Sequence, residues 1–123
     1  MPYPLFFHRL LSFGRRSEIL GIDYLRSLGF RIVTSGYRTK GGEVDIIGWD
    51  RDVLVFVEVK SRQNLEPPED AVGLKKQLRV ILAAKAYMVR HRLQDAPYRF
   101  DILAITSGAS RPQFRLLRDA FNA

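Results

Sequence analysis

The chain reads as a single α/β domain in which a mixed central β-sheet is flanked by helices. Three observations predict this class: an amphipathic helical stretch near residues 13–28, a pair of apolar strand-like runs at 43–49 and 53–60, and a second helical stretch followed by two more strand-like runs. The length of 123 residues suits one domain, which can bury roughly two-thirds of its unfolded surface.

The first helix is predicted over residues 13–28. Ile19, Ile22, Leu25 and Leu28 recur at three-residue spacing, with Leu20 and Tyr24 beside them, and Gly29 offers a C-terminal stop. Glu18 stands four residues before Ile22 and seven before Leu25, which places it at the edge of the inward face. Phe30 to Thr34 reads as a short strand, and Ser35 to Gly42, with three glycines, as a loop. Gly41 and Gly42 are expected to let the chain enter the next strand.

Residues 43–49 and 53–60 are rich in Val, Ile and Phe, with only Asp50-Arg51-Asp52 between them, so they form a hairpin. Pro67 and Pro68 break the chain and prepare a helix start, with Glu69 and Asp70 favourable in its first turn. That helix runs to about Arg92, and Leu74, Leu78, Ile81, Lys85 and Met88 mark one stripe of it. Tyr98 to Ile105 and Gln113 to Leu117 read as strands.

Composition narrows the chemistry. No cysteine is present, which excludes disulfides, thiolate metal sites and cysteine nucleophiles and fits a reducing cytoplasm. The N-terminal residues lack the order and length of a signal peptide, and no run approaches the ~20 apolar residues of a membrane span. A cytoplasmic protein without a membrane partner is expected. His8 and His91 have no ligand spacing and are expected at the surface. Trp49, near the hairpin tip, suits a core, base-stacking or partner-contact role equally.

The net charge of +7 is unevenly distributed. Residues 1–42 carry seven basic and two acidic side chains, residues 43–70 three and eight, and residues 71–123 ten and three. An acidic island thus lies between two basic segments. Basic surface attracts phosphate backbones, whereas the island repels them unless a cation neutralises it.

The hairpin concentrates that island. Side chains alternate faces along a strand, so Leu54, Phe56, Glu58 and Lys60 share one face of the second strand, and Glu43, Asp45 and Ile47 one face of the first. With Arg51 and Asp52 at the tip, Asp50 pairs with Val53. Asp45 then falls opposite Glu58, and Glu43 opposite Lys60, with opposed Cβ atoms about 4.5–5.5 Å apart. Two facing carboxylates need compensation. A bound divalent cation supplies it, since Mg²⁺ takes carboxylate oxygens; an ion-pair quartet with Lys60 between the acids supplies it equally well. Spacing alone does not choose.

Asp45, twelve residues, then Glu58-Val59-Lys60 resembles the PD-(D/E)XK nuclease core, with Val44 where its proline would stand. More narrowly, Gly42-Glu43-Val44-Asp45-Ile46-Ile47 followed by Val55-Phe56-Val57-Glu58-Val59-Lys60-Ser61-Arg62 resembles the bacterial YraN family of predicted endonucleases, itself similar to archaeal Holliday-junction resolvases. Gly14, Glu18, Tyr24-Leu25, Gly29-Phe30, Lys76-Gln77, Arg79, Ala84 and Arg99-Phe100-Asp101 extend the likeness. It covers a core of about residues 14–105, leaving 1–13 and 106–123 as peripheral extensions of one domain.

The resemblance implies a restriction-endonuclease-like core, a Mg²⁺ cofactor with Mn²⁺ as substitute, and DNA, branched or otherwise structured, as partner and substrate. A homodimer is one assembly compatible with it. Asp45, Glu58 and the Val59 carbonyl would hold the metal, Glu18 would reach it through water, and Lys60 would be the catalytic lysine. Glu18 also reads as a helix charge paired with Arg15. Glu43 would pair Lys60 or fix the loop. Lys76 and Gln77 would hold a phosphate or simply solvate a helix face, with Arg79 and Arg62 as further nucleic-acid contacts. Asp101 is expected in a structural ion pair with a neighbouring arginine. The rival to a nuclease is a non-catalytic nucleic-acid-binding or scaffold protein on a retained nuclease fold.

Overall fold

A computed structural model of the chain describes residues 13–63, 72–108 and 111–123. Its elements run α1 (Phe13–Ser27), β1 (Arg31–Thr39), β2 (Gly42–Asp50), β3 (Val53–Gln63), α2 (Leu74–Arg90), β4 (Tyr98–Ser107) and β5 (Gln113–Phe121). The five strands form one sheet in sequence order. β1, β2 and β3 pair antiparallel through short turns. β3 and β4 pair parallel, because α2 carries the chain back to the starting edge between them, and β5 returns antiparallel. This is the α/β class with a mixed sheet.

Among the described residues, each face of the sheet is covered by one helix. Leu54, Phe56, Phe100 and Ile102 pack with Val80, Ala83, Ala84, Tyr87 and Met88 of α2. Val55, Val57, Ile46, Leu103 and Ile105 pack with Leu25 of α1. The centre of β3 is therefore buried on both sides, which is why Leu54 to Val57 is an unbroken apolar run. Trp49 resolves as a partly buried residue against the α2-side core. His91 is exposed, its ring 4.3 Å from that of Tyr87, while His8 lies outside the described residues.

Five element readings change. Ser35 to Thr39 is strand rather than loop: β1 continues to Thr39↔Gly42, and its glycine at 36 sits inside the ladder with φ +64. The α1 residues most deeply buried are Ser17, Gly21 and Leu25, a four-residue row; Leu20 and Leu28 are exposed. On α2 the inward row is Val80, Ala83, Ala84, Tyr87 and Met88, while Leu74 is 71% and Leu78 58% exposed. Alanines face inward there because the helix runs close to the sheet. α2 begins at Leu74, behind Gly73, without an acidic first turn; Pro67, Pro68, Glu69 and Asp70 lie outside the described residues. β5 extends past Leu117 to Phe121, whose ring stacks on Phe100 at 5.0 Å.

Gly42 sets the distance between α2 and β2. A Cβ there would lie 2.7 Å from the Arg79 carbonyl oxygen and 2.9 Å from the Ala83 nitrogen, both backbone atoms that move only with the helix. Gly42→Ala is expected to cost about 1–3 kcal/mol, as overpacking does. Gly73→Ala meets nothing within 4 Å and should stay within about 0.5 kcal/mol of wild type. Urea melts of the two variants make the comparison; equal stabilities would refute the close approach.

Candidate active site

The site is created where β2 and β3 part. Their ladder follows the expected register, from Asp50↔Val53 through Trp49↔Leu54 to Ile46↔Val57, and ends there. β3 continues against β4 to Gln63↔Ser107, while β2 continues against β1 to Gly42. The next residues along the fork are Asp45 and Glu58. Asp45 Oδ2 accepts the Val59 N–H at 2.8 Å, and Glu58 Oε1 accepts the Asp45 N–H at 3.3 Å. Carboxylates thus satisfy backbone donors that the lost ladder leaves without carbonyl partners.

Strict alternation also fails at this point. Val44 and Ile47 both pack in the α2-side core, whereas Ile46 packs on the α1 side. Glu43, Asp45 and Ile47 therefore do not form the single row that period-two reading predicts. The strand turns at Asp45, across from Gly36 on β1, between the pairs Ser35↔Ile46 and Tyr37↔Val44. Gly36 admits α1 here: a Cβ would lie 3.1 Å from Arg15 Nη1 and 3.9 Å from Glu18 Oε1.

An open cavity of about 520 Å³ lies at the fork, and Glu18, Asp45, Glu58, Val59, Lys60 and Lys76 are among its lining residues. The structure thus brings together all four side chains singled out for catalysis. Glu18 also pairs with Arg15 at 2.8 Å, so the site and helix-charge readings coexist. Of the proposed nucleic-acid contacts, Lys76 belongs to the carboxylate cluster itself, 3.1 Å from Glu43 Oε2 and 3.4 Å from Glu58 Oε2. Glu43 takes Lys76, Arg38 at 3.7 Å and Arg79 at 3.9 Å as cations. Gln77 donates its amide to the Val72 carbonyl at 2.8 Å and so ties the entry to α2. Arg62 lies half-buried on β3.

Sequence reading missed Ser17 and Ser61. Both line the cavity, and the Ser61 hydroxyl donates to the Ser17 hydroxyl at 2.6 Å. The available signal was the four-residue row of Ser17, Gly21 and Leu25 on α1.

The electrostatics follow from burial. Glu58 is 3% exposed, and its carboxyl is pushed up to about 8, by burial first and by the Asp45 charge second, against the pull of Lys76. Asp45 is raised by burial, opposed by the Val59 N–H and by Lys76. Glu18 is raised by burial and by Asp45. Glu43, in contrast, is held low by its hydrogen bond from Lys76. Burial alone would lower the Lys76 ammonium, but Glu58 and the other carboxylates outweigh it and raise its pKa.

A pH dependence follows. The folded protein keeps a proton on Glu58 over a range in which the unfolded chain has lost it. That contribution to stability is complete below about 4.5 and is lost as pH rises through about 8. Metal-free protein should therefore lose stability between pH 5 and 8, with a slope approaching about 1.4 kcal/mol per pH unit for one proton. Urea melts across this window test it. Glu58→Gln should flatten the slope; a wild-type stability that is level or rising would contradict the assignment.

As a donor set the site is all oxygen, without imidazole or thiolate, which is the chemistry Mg²⁺ and Mn²⁺ take. Among the described residues no group of three or more His, Cys, Asp or Glu converges closely enough to hold an ion as placed. Asp45 and Glu58 nevertheless fit one: Glu58 is buried and Asp45 half-buried, the Asp45 charge opposes ionisation of Glu58, and Glu58 already draws a cation, Lys76, between the sheet and α2.

The fold, a five-stranded mixed sheet between two helices, is compatible with a restriction-endonuclease-like core, with the carboxylate fork at its centre. The chain belongs to the Uncharacterised protein family UPF0102, the YraN family, whose model matches residues 17–105. It is 39% identical over 100 residues to a UPF0102 protein of Chlorobium limicola, covering 80% of this chain and 78% of the relative. A UPF0102 protein of Geobacter metallireducens is 37% identical over 112 residues, covering 89% and 92%. Another, from Geotalea uraniireducens, is 39% identical over 113 residues, covering 89% of each. Among the described residues no helix is long and apolar enough to cross a membrane.

Proposed function

We propose that the protein is a divalent-cation-dependent endonuclease that hydrolyses phosphodiester bonds in DNA, with branched or otherwise structured DNA as substrate, in the cytoplasm. The observation that carries this reading is the fork: the buried Glu58 and the half-buried Asp45 meet where β2 and β3 separate, in one open cavity with Lys60 and Glu18. The preference for structured DNA rests on the family resemblance alone.

Asp45, Glu58 and the Val59 carbonyl would hold Mg²⁺, with Glu18 reaching it through water. The bound ion supplies a polarised phosphate oxygen and a water of lowered pKa. Lys60 orients the attacking water or stabilises the charge that develops on the phosphoryl oxygens. The buried floor formed by Glu58 keeps these groups partly dehydrated, which strengthens each interaction. Arg79 and Arg62, with the basic segments, draw in the phosphate backbone; Lys76 in the metal-free protein is engaged by Glu43 and Glu58.

The test is a cleavage screen over duplex, single-stranded, flap and four-way DNA, with RNA counterparts, in Mg²⁺, Mn²⁺ and EDTA. At least one DNA substrate should be cut in metal and none in EDTA. Binding should weaken steeply with salt, by a log–log slope of about −0.9 per phosphate neutralised; affinity indifferent to salt would count against the basic segments as the DNA surface. One observation favours the scaffold reading instead: Lys76, Arg38 and Arg79 neutralise Glu43 and Glu58 without an ion. DNA binding without cleavage of any substrate, in a protein that ignores Mn²⁺, would make that reading the better one.

A further inference from the structure

The first turn of α2 stands across the cavity from the fork, and Lys76 reaches over it. Its ammonium lies 3.4 Å from Glu58 Oε2, on the most buried carboxylate of the site, and 3.1 Å from Glu43 Oε2 nearer the surface. We infer that Lys76 is the resident counter-ion of the metal-free site, and that it competes with a divalent cation for Glu58. The inference rests on the proposed metal site and adds a residue that sets how tightly that site binds.

The competition follows from charge and position. A divalent ion needs Glu58 ionised, and the 3%-exposed carboxylate it would then bind is the one that Lys76 already faces at 3.4 Å. A divalent ion on Asp45 and Glu58 would set two positive centres against the same oxygens. One must leave, and Lys76 can. Its side chain is 37% exposed, it moves on a flexible four-carbon stem, and Glu43 holds it independently of Glu58. Glu43, itself flanked by Arg38 and Arg79, therefore serves as the berth to which the ammonium withdraws.

The displaced lysine has a use. Freed from Glu58, it remains at the mouth of the cavity as a cation without its buried partner, where an incoming phosphodiester can take it. Linkage is reciprocal, so any phosphate that engages Lys76 favours the metal as well. The site then loads fully only when ion and nucleic acid are both present, and stays neutralised otherwise.

The test is Mn²⁺ binding by calorimetry on the full chain, without substrate, for wild type, Lys76→Met, Lys76→Gln and Lys76→Arg. The Met and Gln variants should bind Mn²⁺ about tenfold more tightly than wild type, within the usual range of a coupling between sites, and the Arg variant no more tightly. Wild type is also labelled with an amine-acylating reagent, with and without Mn²⁺, and Lys76 modification is read by mass spectrometry. Mn²⁺ should raise it several-fold. This second arm needs no variant to fold. Mn²⁺ binding that is unchanged or weaker in both neutral variants, or labelling that Mn²⁺ leaves unchanged, overturns the competition while leaving the metal site standing. Absence of Mn²⁺ binding in every form overturns both.

Discussion

Asp45→Asn should abolish cleavage, by on the order of 10³-fold or more, without destabilising the metal-free protein. The two halves of this expectation come from the two things Asp45 does. Its Oδ2 accepts the Val59 N–H at 2.8 Å, a structural bond that an asparagine carbonyl oxygen can keep. Its charge faces Glu58 in a buried site, where burial raises the carboxyl of each. Removing a charge that burial disfavours, and that opposes ionisation of Glu58, should leave stability unchanged or increase it. The same change removes a negative donor from the proposed metal site. Wild type should gain about 2.7 kcal/mol from Mn²⁺ at a hundredfold excess over Kd, a rise of several degrees in Tm for a domain of this size. Asp45→Asn should gain nothing. Lys60→Ala separates binding from chemistry: it should keep the metal-induced rise in Tm and lose cleavage, because its proposed work is on the water or the developing charge. Thermal melts with and without Mn²⁺, paired with the cleavage assay, read all three proteins. If Asp45→Asn is strongly destabilised and wild type ignores Mn²⁺, the cluster is a structural ion-pair network.

The hairpin carries its own register in its sequence. A two-residue tip at Arg51 and Asp52 with apolar alternation on either side leaves one pairing that keeps both cores filled, and Asp50↔Val53 through Ile46↔Val57 is that pairing. From it follows the meeting of Asp45 and Glu58, and alternation carries Lys60 to the same cavity. Alternation holds no information about where two strands separate. The fork depends on β3 pairing with β4 to Gln63↔Ser107 while β2 follows β1, and these are contacts between distant segments. Lys76 was hidden for the same reason: its place beside Glu43 and Glu58 depends on how α2 crosses the sheet, and Gly42 fixes that approach. α2 itself misleads. Its leucines at 74 and 78 suggest an inward stripe, yet close packing at Gly42 and Val44 favours alanine on the inner face and leaves those leucines in solvent. β1 misleads oppositely, because Ser35 and Gly36 carry loop chemistry into a strand that needs a glycine where α1 approaches.

Away from the fork, the largest loss of stability is expected from Asp101→Ala, about 3–5 kcal/mol. Asp101 is fully buried at the centre of the sheet, on β4 beside Val57 of β3. It forms the ion pair with a neighbouring arginine that its sequence context suggests: Arg99 Nε lies 2.9 Å from Oδ1, and Arg99 Nη2 3.1 Å from Oδ2. It also accepts the Asp119 N–H at 2.8 Å. That bond explains the irregular end of β5, where the pairing slips between Ile102↔Leu117 and Phe100↔Phe121 and Asp119 adopts φ +53. Alanine would leave the Asp119 N–H without its acceptor and Arg99, 17% exposed, with Asp50 at 2.8 Å as its remaining carboxylate partner among the described residues. Removing one side of a buried pair costs more than the pair contributes, because the other charge stays behind. The expected loss is a large share of the roughly 5–15 kcal/mol that holds a typical domain together. Asp101→Asn keeps an acceptor for Asp119 and should lose less. Asp52→Ala, at the exposed hairpin tip, should stay within about 0.5 kcal/mol of wild type. Urea unfolding of the three variants at fixed pH gives the ranking. A loss below about 1 kcal/mol for Asp101→Ala would mean that β5 and Arg99 find other partners and that the buried carboxylate does not organise this end of the sheet.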